Sequence, residues 1–235
     1  MNVTILPGTL KGAVTPPSSK SQTHRAVLAL MLAQGEGKLS NLAVSQDIQA
    51  TQDCVAALKS GQPAQADGLP LLDCGESGST LRFLIPIASL TGQKVTFVGR
   101  GRLMERPQTV YEKLYQEQSL RFEQSSAGLA VEGTLKSSEY ELAGNVSSQF
   151  ISGLLFALPL LAGDSTLHLI PPVESRSYIE MTRAAQRRFG VESRWQDENT
   201  LFIPGGQNTG PAITRWRAIT VRRPSRRCWE RCRAA

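Results

Sequence analysis

One order of features occurs three times in this chain: a serine-rich turn, a helix apolar on nearly every side, a glycine turn, a strand, an amphipathic helix and further strands. The turns lie at 18–21, 77–80 and 147–149, and the helix starts are 58 residues apart from Ser21 to Ser79 and 69 apart from Ser79 to Ser148. Units of that length are α/β modules and lie far from solenoid periods. A helix without a polar face must be covered on all sides. Three such helices therefore belong at the centre of a pseudo-threefold α/β domain, with sheets outside.

In order, residues 3–6 and 12–15 are short strand candidates. Pro16-Pro17 precede a helix over 21–33, Gly35-Glu36-Gly37 turns into a strand at 38–42, and a helix over 47–60, capped by Asp47, ends at Gly61. Residues 69–73 read as a strand. The second unit has helix 81–90, strand 94–98, helix 108–118 opened by Pro107, and a hairpin of 120–122 with 129–131. The third has helix 150–161, strand 166–170, helix 178–189 capped by Ser177, and strands near 191–195 and 201–203.

The first buried helix begins with cations, in Ser18-Ser-Lys-Ser-Gln-Thr-His-Arg25. Helix N-termini already carry positive potential and favour acidic residues, so Lys20 and Arg25 there call for an anionic partner. Phosphate or carboxylate is held by N–H groups, hydroxyls and cations together. If the three helices run parallel, Lys20, Ser21, Arg25, Ser79, Arg82, Ser147, Ser148 and Gln149 share one polyanion-binding floor. Helix capping alone accounts for one serine per helix, not for doubled serines with arginine.

The net charge of +6 suggests nucleic acid at first sight. Residues 208–235, however, hold eight arginines and one glutamate, so their +7 leaves residues 1–207 at −1. That tail has no recognisable nucleic-acid-binding fold. Cys54, Cys74, Cys228 and Cys232 lack zinc-ligand spacing, and His24 and His168 read as non-metal positions. Gly75-Glu-Ser-Gly-Ser-Thr80 is no phosphate loop, because no Gly-Lys-Ser/Thr follows. The apolar runs fall short of the roughly 20 residues that span a bilayer. With no basic-then-apolar leader, the expectation is a cytosolic protein without membrane contact.

Five segments, Ser19-Lys-Ser-Gln-Thr-His-Arg25, Asp73-Cys-Gly-Glu-Ser-Gly-Ser-Thr-Leu-Arg82, Gly101-Arg-Leu-Met-Glu-Arg-Pro107, Asn145-Val-Ser-Ser-Gln149 and Glu174-Ser-Arg-Ser-Tyr178, resemble in order the signatures of 3-phosphoshikimate 1-carboxyvinyltransferases, the EPSP synthases. The resemblance implies an inside-out α/β prism, with each of two domains built from three βαβαββ repeats. It implies transfer of the enolpyruvyl group of phosphoenolpyruvate to the 5-hydroxyl of shikimate 3-phosphate, in aromatic amino-acid biosynthesis, without metal or organic cofactor. Family members are usually monomeric. The UDP-N-acetylglucosamine enolpyruvyl transferases share the fold but lack the Ser-Lys-Ser…Arg spacing, and a non-enzymatic anion-binding domain is a further alternative.

Position by position, the resemblance implies that Lys20 contacts both substrates and acts in catalysis. Ser21 and Arg25 would hold the shikimate ring and carboxylate, and Ser147, Ser148 and Ser175 the 3-phosphate. Gln149 would lie between the ligands, Arg102 on the phosphoenolpyruvate phosphate, Gly78 against that ligand, and Tyr178 on the shikimate side. Two substrates with two carboxylates and two phosphates need this many fixed cations and donors. Glu76 stands where the family commonly has asparagine, which puts a direct ligand role there in doubt.

The likeness implies three segments. Residues 1–15 would belong to a second domain, 16–207 form the threefold-repeat substrate-binding domain, and 208–235 are a poorly packed Arg-rich tail. With synonymous codons chosen, residues 212–224 read one base earlier as Arg-Asp-Tyr-Thr-Val-Glu-Gly-Asp-Tyr-Ser-Gln-Ala-Ala, similar to the family's segment returning to the other domain. The expectation is a frame-shifted tail. In the family the second half supplies the general acid/base carboxylates, so residues 1–235 alone are expected to bind shikimate 3-phosphate weakly without turnover.

Overall fold

The computed structural model describes residues 18–33, 37–61, 65 and 68–207, together with the backbone of 213–215. The first unit contains α1 (Lys20–Leu32), β1 (Lys38–Ser40) and α2 (Gln46–Ser60). The second runs β2 (Leu71–Asp73), α3 (Gly78–Ala88), β3 (Val95–Val98), α4 (Thr109–Glu117), β4 (Arg121–Ser125) and β5 (Gly128–Glu132). The third runs β6 (Glu139–Ala143), α5 (Ser148–Ala157) with a 3-10 turn at Leu158–Leu160, β7 (Ser165–Ile170), α6 (Arg176–Arg187), β8 (Arg194–Trp195) and β9 (Thr200–Ile203). A last strand, β10, spans Ile213–Arg215.

The second and third units share one topology. Their sheets have the orders β2-β3-β5-β4 and β6-β7-β9-β8. In each, two strands joined through a buried helix pair in parallel, and a closing hairpin adds antiparallel strands with its second strand innermost. Parallel neighbours require a crossover, and the helix supplies it. Two βαβαββ repeats are thus complete. In the first unit, β1 pairs in parallel with β10, from Lys38↔Ile213 to Ser40↔Arg215, so β10 takes the place that β2 and β6 hold beside their partners.

Burial follows the expected inside-out arrangement. Every residue of α5 from Phe150 to Ala157 is buried, as are residues 23–29 of α1 and 83–88 of α3. By contrast, α4 buries only Tyr111, Leu114 and Tyr115, and α6 only Ile179, Thr182, Ala185 and Gln186, the single stripe of an amphipathic helix. β3, β6 and β7 alternate buried and exposed residues, as sheets with one wet face do.

One joint locks two of the central helices. Pro86 inside α3 has no N–H for the carbonyl of Arg82 one turn earlier, and the Tyr111 hydroxyl donates to that oxygen at 2.7 Å instead. The same hydroxyl reaches the Phe150 carbonyl of α5 at 3.0 Å. Gly153 makes the approach possible. A Cβ there would collide with the Tyr111 hydroxyl and stand 2.5 Å from the Arg82 carbonyl oxygen.

Several local expectations are corrected. Ser45, not Asp47, caps α2, its hydroxyl accepting from the Ile48 N–H at 3.3 Å, which frees Asp47 to face α1. α6 opens two residues before Tyr178, with Ser175 rather than Ser177 at the cap position. Pro107 precedes α4 by two residues, Gln108 lying between. β6 has no counterpart in the sequence reading, because Glu139, Glu141 and the flanking serines mask its two buried residues, Tyr140 and Leu142. Residues 1–15 lie outside the described residues, as do 208–212 and 216–235 of the tail. Within the segment taken as an unpacked tail, 213–215 is a paired strand, and the open edge of β1 is the physical reason for pairing there.

Candidate functional site

The serine turns do cap the central helices. Ser19 accepts from the Gln22 N–H at 3.3 Å, Ser77 from the Thr80 N–H at 3.2 Å and Ser147 from the Gln149 N–H at 3.4 Å. Around these caps the first turns of α1, α3 and α5 interlock. The Gln149 amide donates to the Ser79 hydroxyl at 2.8 Å and accepts from Arg82 Nη1 at 2.9 Å. One turn deeper, Arg25 Nη2 donates to the Ser152 hydroxyl at 3.0 Å. α5 therefore faces α3 through Gln149 and α1 through Ser152, with corresponding turns level, as parallel helices require. Side chains from the first two turns of all three helices thus meet at one end of the bundle.

Arg25 is 2% exposed and spans three helices. Besides Ser152, its Nε donates to the Thr182 hydroxyl at 2.7 Å, Nη1 to the Ser21 carbonyl at 2.8 Å and Nη2 to the Tyr178 carbonyl at 3.4 Å. Its guanidinium also lies 5.1 Å from the Phe83 ring centroid and 5.8 Å from that of Tyr178. Burial pulls its pKa down to about 10, with Tyr178 opposing. Here Arg25 is a strut: four of its five N–H groups are engaged, and Ser21 meets it through main-chain oxygen.

Lys20 is half exposed and donates to Asp47 Oδ2 at 2.7 Å, an ion pair between α1 and α2 that the sequence reading did not anticipate. Behind it, His24 is 1% exposed and shares a 2.7 Å hydrogen bond from Nδ1 with the Thr51 hydroxyl, which in turn meets the Thr80 hydroxyl at 2.7 Å. His24 Nε2 has no partner among the described residues. Burial lowers the imidazole pKa to about 4, with Asp47 opposing and Lys20 and Arg25 adding to the fall.

A cationic cluster lies at the start of α3. A Cβ added to Gly78 would stand 2.9 Å from Arg106 Nη1 and 4.0 Å from Gln149 Oε1, so the glycine keeps this corner clear. Arg82 is partly buried, held by Gln108 Oε1 at 3.2 Å and lying 4.6 Å from the Phe150 ring centroid. Burial lowers its pKa; Tyr111 opposes and the nearby Arg106 charge adds to the lowering.

Among the other expected residues, Ser148 is buried at the first turn of α5 and its hydroxyl has no hydrogen bond among the described residues. Ser175 is exposed with φ of 55°, its carbonyl accepting from the Tyr178 N–H, and the Tyr178 side chain is 42% exposed. Arg102 stands apart from Gly78, largely exposed and paired with Glu105 at 3.1 Å. Glu76 has no ion pair among the described residues and packs its carboxylate on Gly101, where a Cβ would be 3.2 Å from Oε1. Sequence reasoning missed Arg106, Ser152, Thr182 and Gln108. Arg106 stood inside a motif already singled out, and Ser152 interrupts an otherwise apolar run. Among the described residues no His/Cys/Asp/Glu group could hold a metal ion, and no helix is long and apolar enough to cross a membrane.

The fold is shared with known proteins. The solved EPSP synthase of Acinetobacter baumannii superposes with a TM-score of 0.75 at 21% identity, covering 90% of this chain and 51% of that one. The enolpyruvyl transferase NikO of Streptomyces tendae superposes with a TM-score of 0.60 at 12% identity, covering 88% of this chain and 52% of that one. Curated 3-phosphoshikimate 1-carboxyvinyltransferases of Clostridium perfringens and Clostridium beijerinckii are 39% and 40% identical to it over 224 and 227 residues, covering 89% and 88% of the chain. The chain spans about half the length of these relatives, 53% and 52%. The family model for EPSP synthase (3-phosphoshikimate 1-carboxyvinyltransferase) matches residues 6–218. By this match and these identities, the chain belongs to the EPSP synthase family.

Proposed function

We propose that this chain supplies the shikimate 3-phosphate side of an enolpyruvyl transferase, which moves the enolpyruvyl group of phosphoenolpyruvate to the 5-hydroxyl of shikimate 3-phosphate and releases phosphate. The observation that carries the reading is the meeting of Ser79, Arg82 and Gln149 with the Arg25–Ser152 layer at the N-terminal ends of three buried helices. Unpaired N–H groups, hydroxyls and cations there match a ligand bearing a phosphate and a carboxylate. Ser147, Ser148 and Ser175 receive the 3-phosphate, with Tyr178 beside the ring. Lys20 exchanges Asp47 for substrate oxygens, and the exposed pair releases it at small cost. Ser21 acts with Arg25, which fixes the wall against which the shikimate carboxylate lies.

Residues 16–207 form this binding domain, and residues 1–15 belong with the second domain. The residues from 208 onward follow the proposed frame-shift, and the strand at 213–215 lies among them. The acid/base carboxylates of the reaction come from the half of the family fold that this chain does not match. Residues 1–235 therefore bind shikimate 3-phosphate and do not turn it over. Calorimetric titration with shikimate 3-phosphate, paired with a phosphate-release assay, tests both statements. Absence of heat at millimolar ligand refutes the binding, and appreciable phosphate release refutes the division of labour.

A further inference from the structure

A buried chain of hydroxyls runs from His24 to the start of α3, and none of the substrate contacts above uses it. His24 Nδ1 lies 2.7 Å from the Thr51 hydroxyl of α2, which lies 2.7 Å from the Thr80 hydroxyl of α3, which in turn donates to the Ser77 hydroxyl at 2.7 Å. Ser77 is the cap of α3 and accepts from the Thr80 N–H as well. His24 and Ser77 are 1% exposed, Thr51 and Thr80 0%. Both ends of this chain lead to the site. Thr51 donates to the Asp47 carbonyl at 2.9 Å, and the Asp47 carboxylate holds Lys20. Beyond Ser77, the first turn of α3 carries Gly78 and Ser79, whose hydroxyl accepts from Gln149.

Each hydroxyl has one proton to give, and this fixes the state of the ring. Burial lowers the imidazole pKa to about 4, so at neutral pH it has a single N–H. A proton on Nε2 would be a buried donor without an acceptor among the described residues, which native structures rarely tolerate. It would also require Thr51 to turn its only proton from the Asp47 carbonyl to Nδ1. With the proton on Nδ1, His24 donates to Thr51, Thr51 donates onward to Thr80 or Asp47, and Thr80 donates to Ser77. Only a lone pair is then left bare.

We propose that His24, as its Nδ1–H tautomer, is a positioning residue that holds the Ser77 cap and the Asp47–Lys20 pair in register, and so, on the enolpyruvyl-transferase reading above, presents Ser79, Gln149 and Lys20 to the substrates. Nitrogen NMR of residues 1–235 at neutral pH shows a pyrrole-type Nδ1 and a pyridine-type Nε2; any other pattern overturns the assignment, and no variant is needed to see it. Calorimetric titration with shikimate 3-phosphate then compares His24→Asn, which keeps a donor near the place of Nδ1, with His24→Leu, which keeps apolar bulk, and Thr51→Ser with Thr51→Val. A broken chain relaxes into a state that the ligand must reverse, so His24→Leu and Thr51→Val lose about tenfold in affinity while His24→Asn and Thr51→Ser stay within about threefold. His24→Asn also loses the edge-on packing against Phe83, at 6.3 Å between ring centroids, and melts below wild type. Affinity therefore follows the donor and not the melting temperature; affinities ranked by melting temperature would show a merely structural histidine. Amide resonances of Gly78 and Ser79 shift in unliganded Thr51→Val, and unmoved resonances refute the positioning role. Failure of the wild type to bind shikimate 3-phosphate removes the underlying reading, whereas the nitrogen pattern and the amide shifts decide the role of His24 without ligand.

Discussion

Replacing Tyr111 by Phe removes one oxygen atom and tests how the central helices are joined. Pro86 leaves the Arg82 carbonyl without its helical donor, and the Tyr111 hydroxyl at 2.7 Å stands in. Tyr111 is 0% exposed, and the missing Cβ of Gly153 leaves room for the hydroxyl and little else, so water has no place to substitute. A buried carbonyl left without a donor costs about 1–3 kcal/mol. For a chain of this length, a loss of about 2 kcal/mol lowers Tm by about 4–8 °C. Urea unfolding followed by circular dichroism measures it. The decisive comparison is with Pro86→Ala, which restores an N–H for the same oxygen. In that background Tyr111→Phe costs at least about 1 kcal/mol less, a coupling read from the double-mutant cycle. Equal costs in both backgrounds, or a cost below about 0.5 kcal/mol in the wild type, would refute the reasoning.

His24 makes stability pH-dependent. Its folded pKa of about 4 lies below the unfolded 6.5, so the folded state binds fewer protons, and its stabilising contribution, intact above pH 6.5, falls as pH drops toward 4. The loss amounts to about 3 kcal/mol, seen as the difference in unfolding free energy between wild type and His24→Gln across that window; parallel pH profiles contradict it. Gly78→Ala places a Cβ 2.9 Å from the flexible end of Arg106, so thermal melting changes little while phosphoenolpyruvate affinity falls; unchanged affinity would show the corner to be roomy. Lys20→Met breaks a half-exposed ion pair and costs under about 1 kcal/mol of stability. Its effect falls instead on shikimate 3-phosphate binding, and a calorimetric affinity equal to wild type would remove Lys20 from the site.

The amino-acid order by itself determined what is local. The run from Phe150 to Ala157 has no polar face, so it had to be enclosed, and Ser19, Ser77 and Ser147 had to answer open helix N–H groups. Repeating that pattern was enough to announce the threefold architecture, whereas the family resemblance rested on five motif segments between Ser19 and Tyr178. β6 escaped notice because its two buried residues are too few to set a period among glutamates. The tertiary structure decided which cations are free. Arg25 meets Ser152 and Thr182 more than 100 residues away and is committed to holding helices together. Lys20 is paired across 27 residues with Asp47, and Arg106 rather than Arg102 covers Gly78. The same holds for β10, which fills the edge of β1 from the far end of the chain. Burial and capping are properties of a few neighbouring residues, whereas the pairing of a charge depends on what the fold brings opposite it, and no local pattern encodes that.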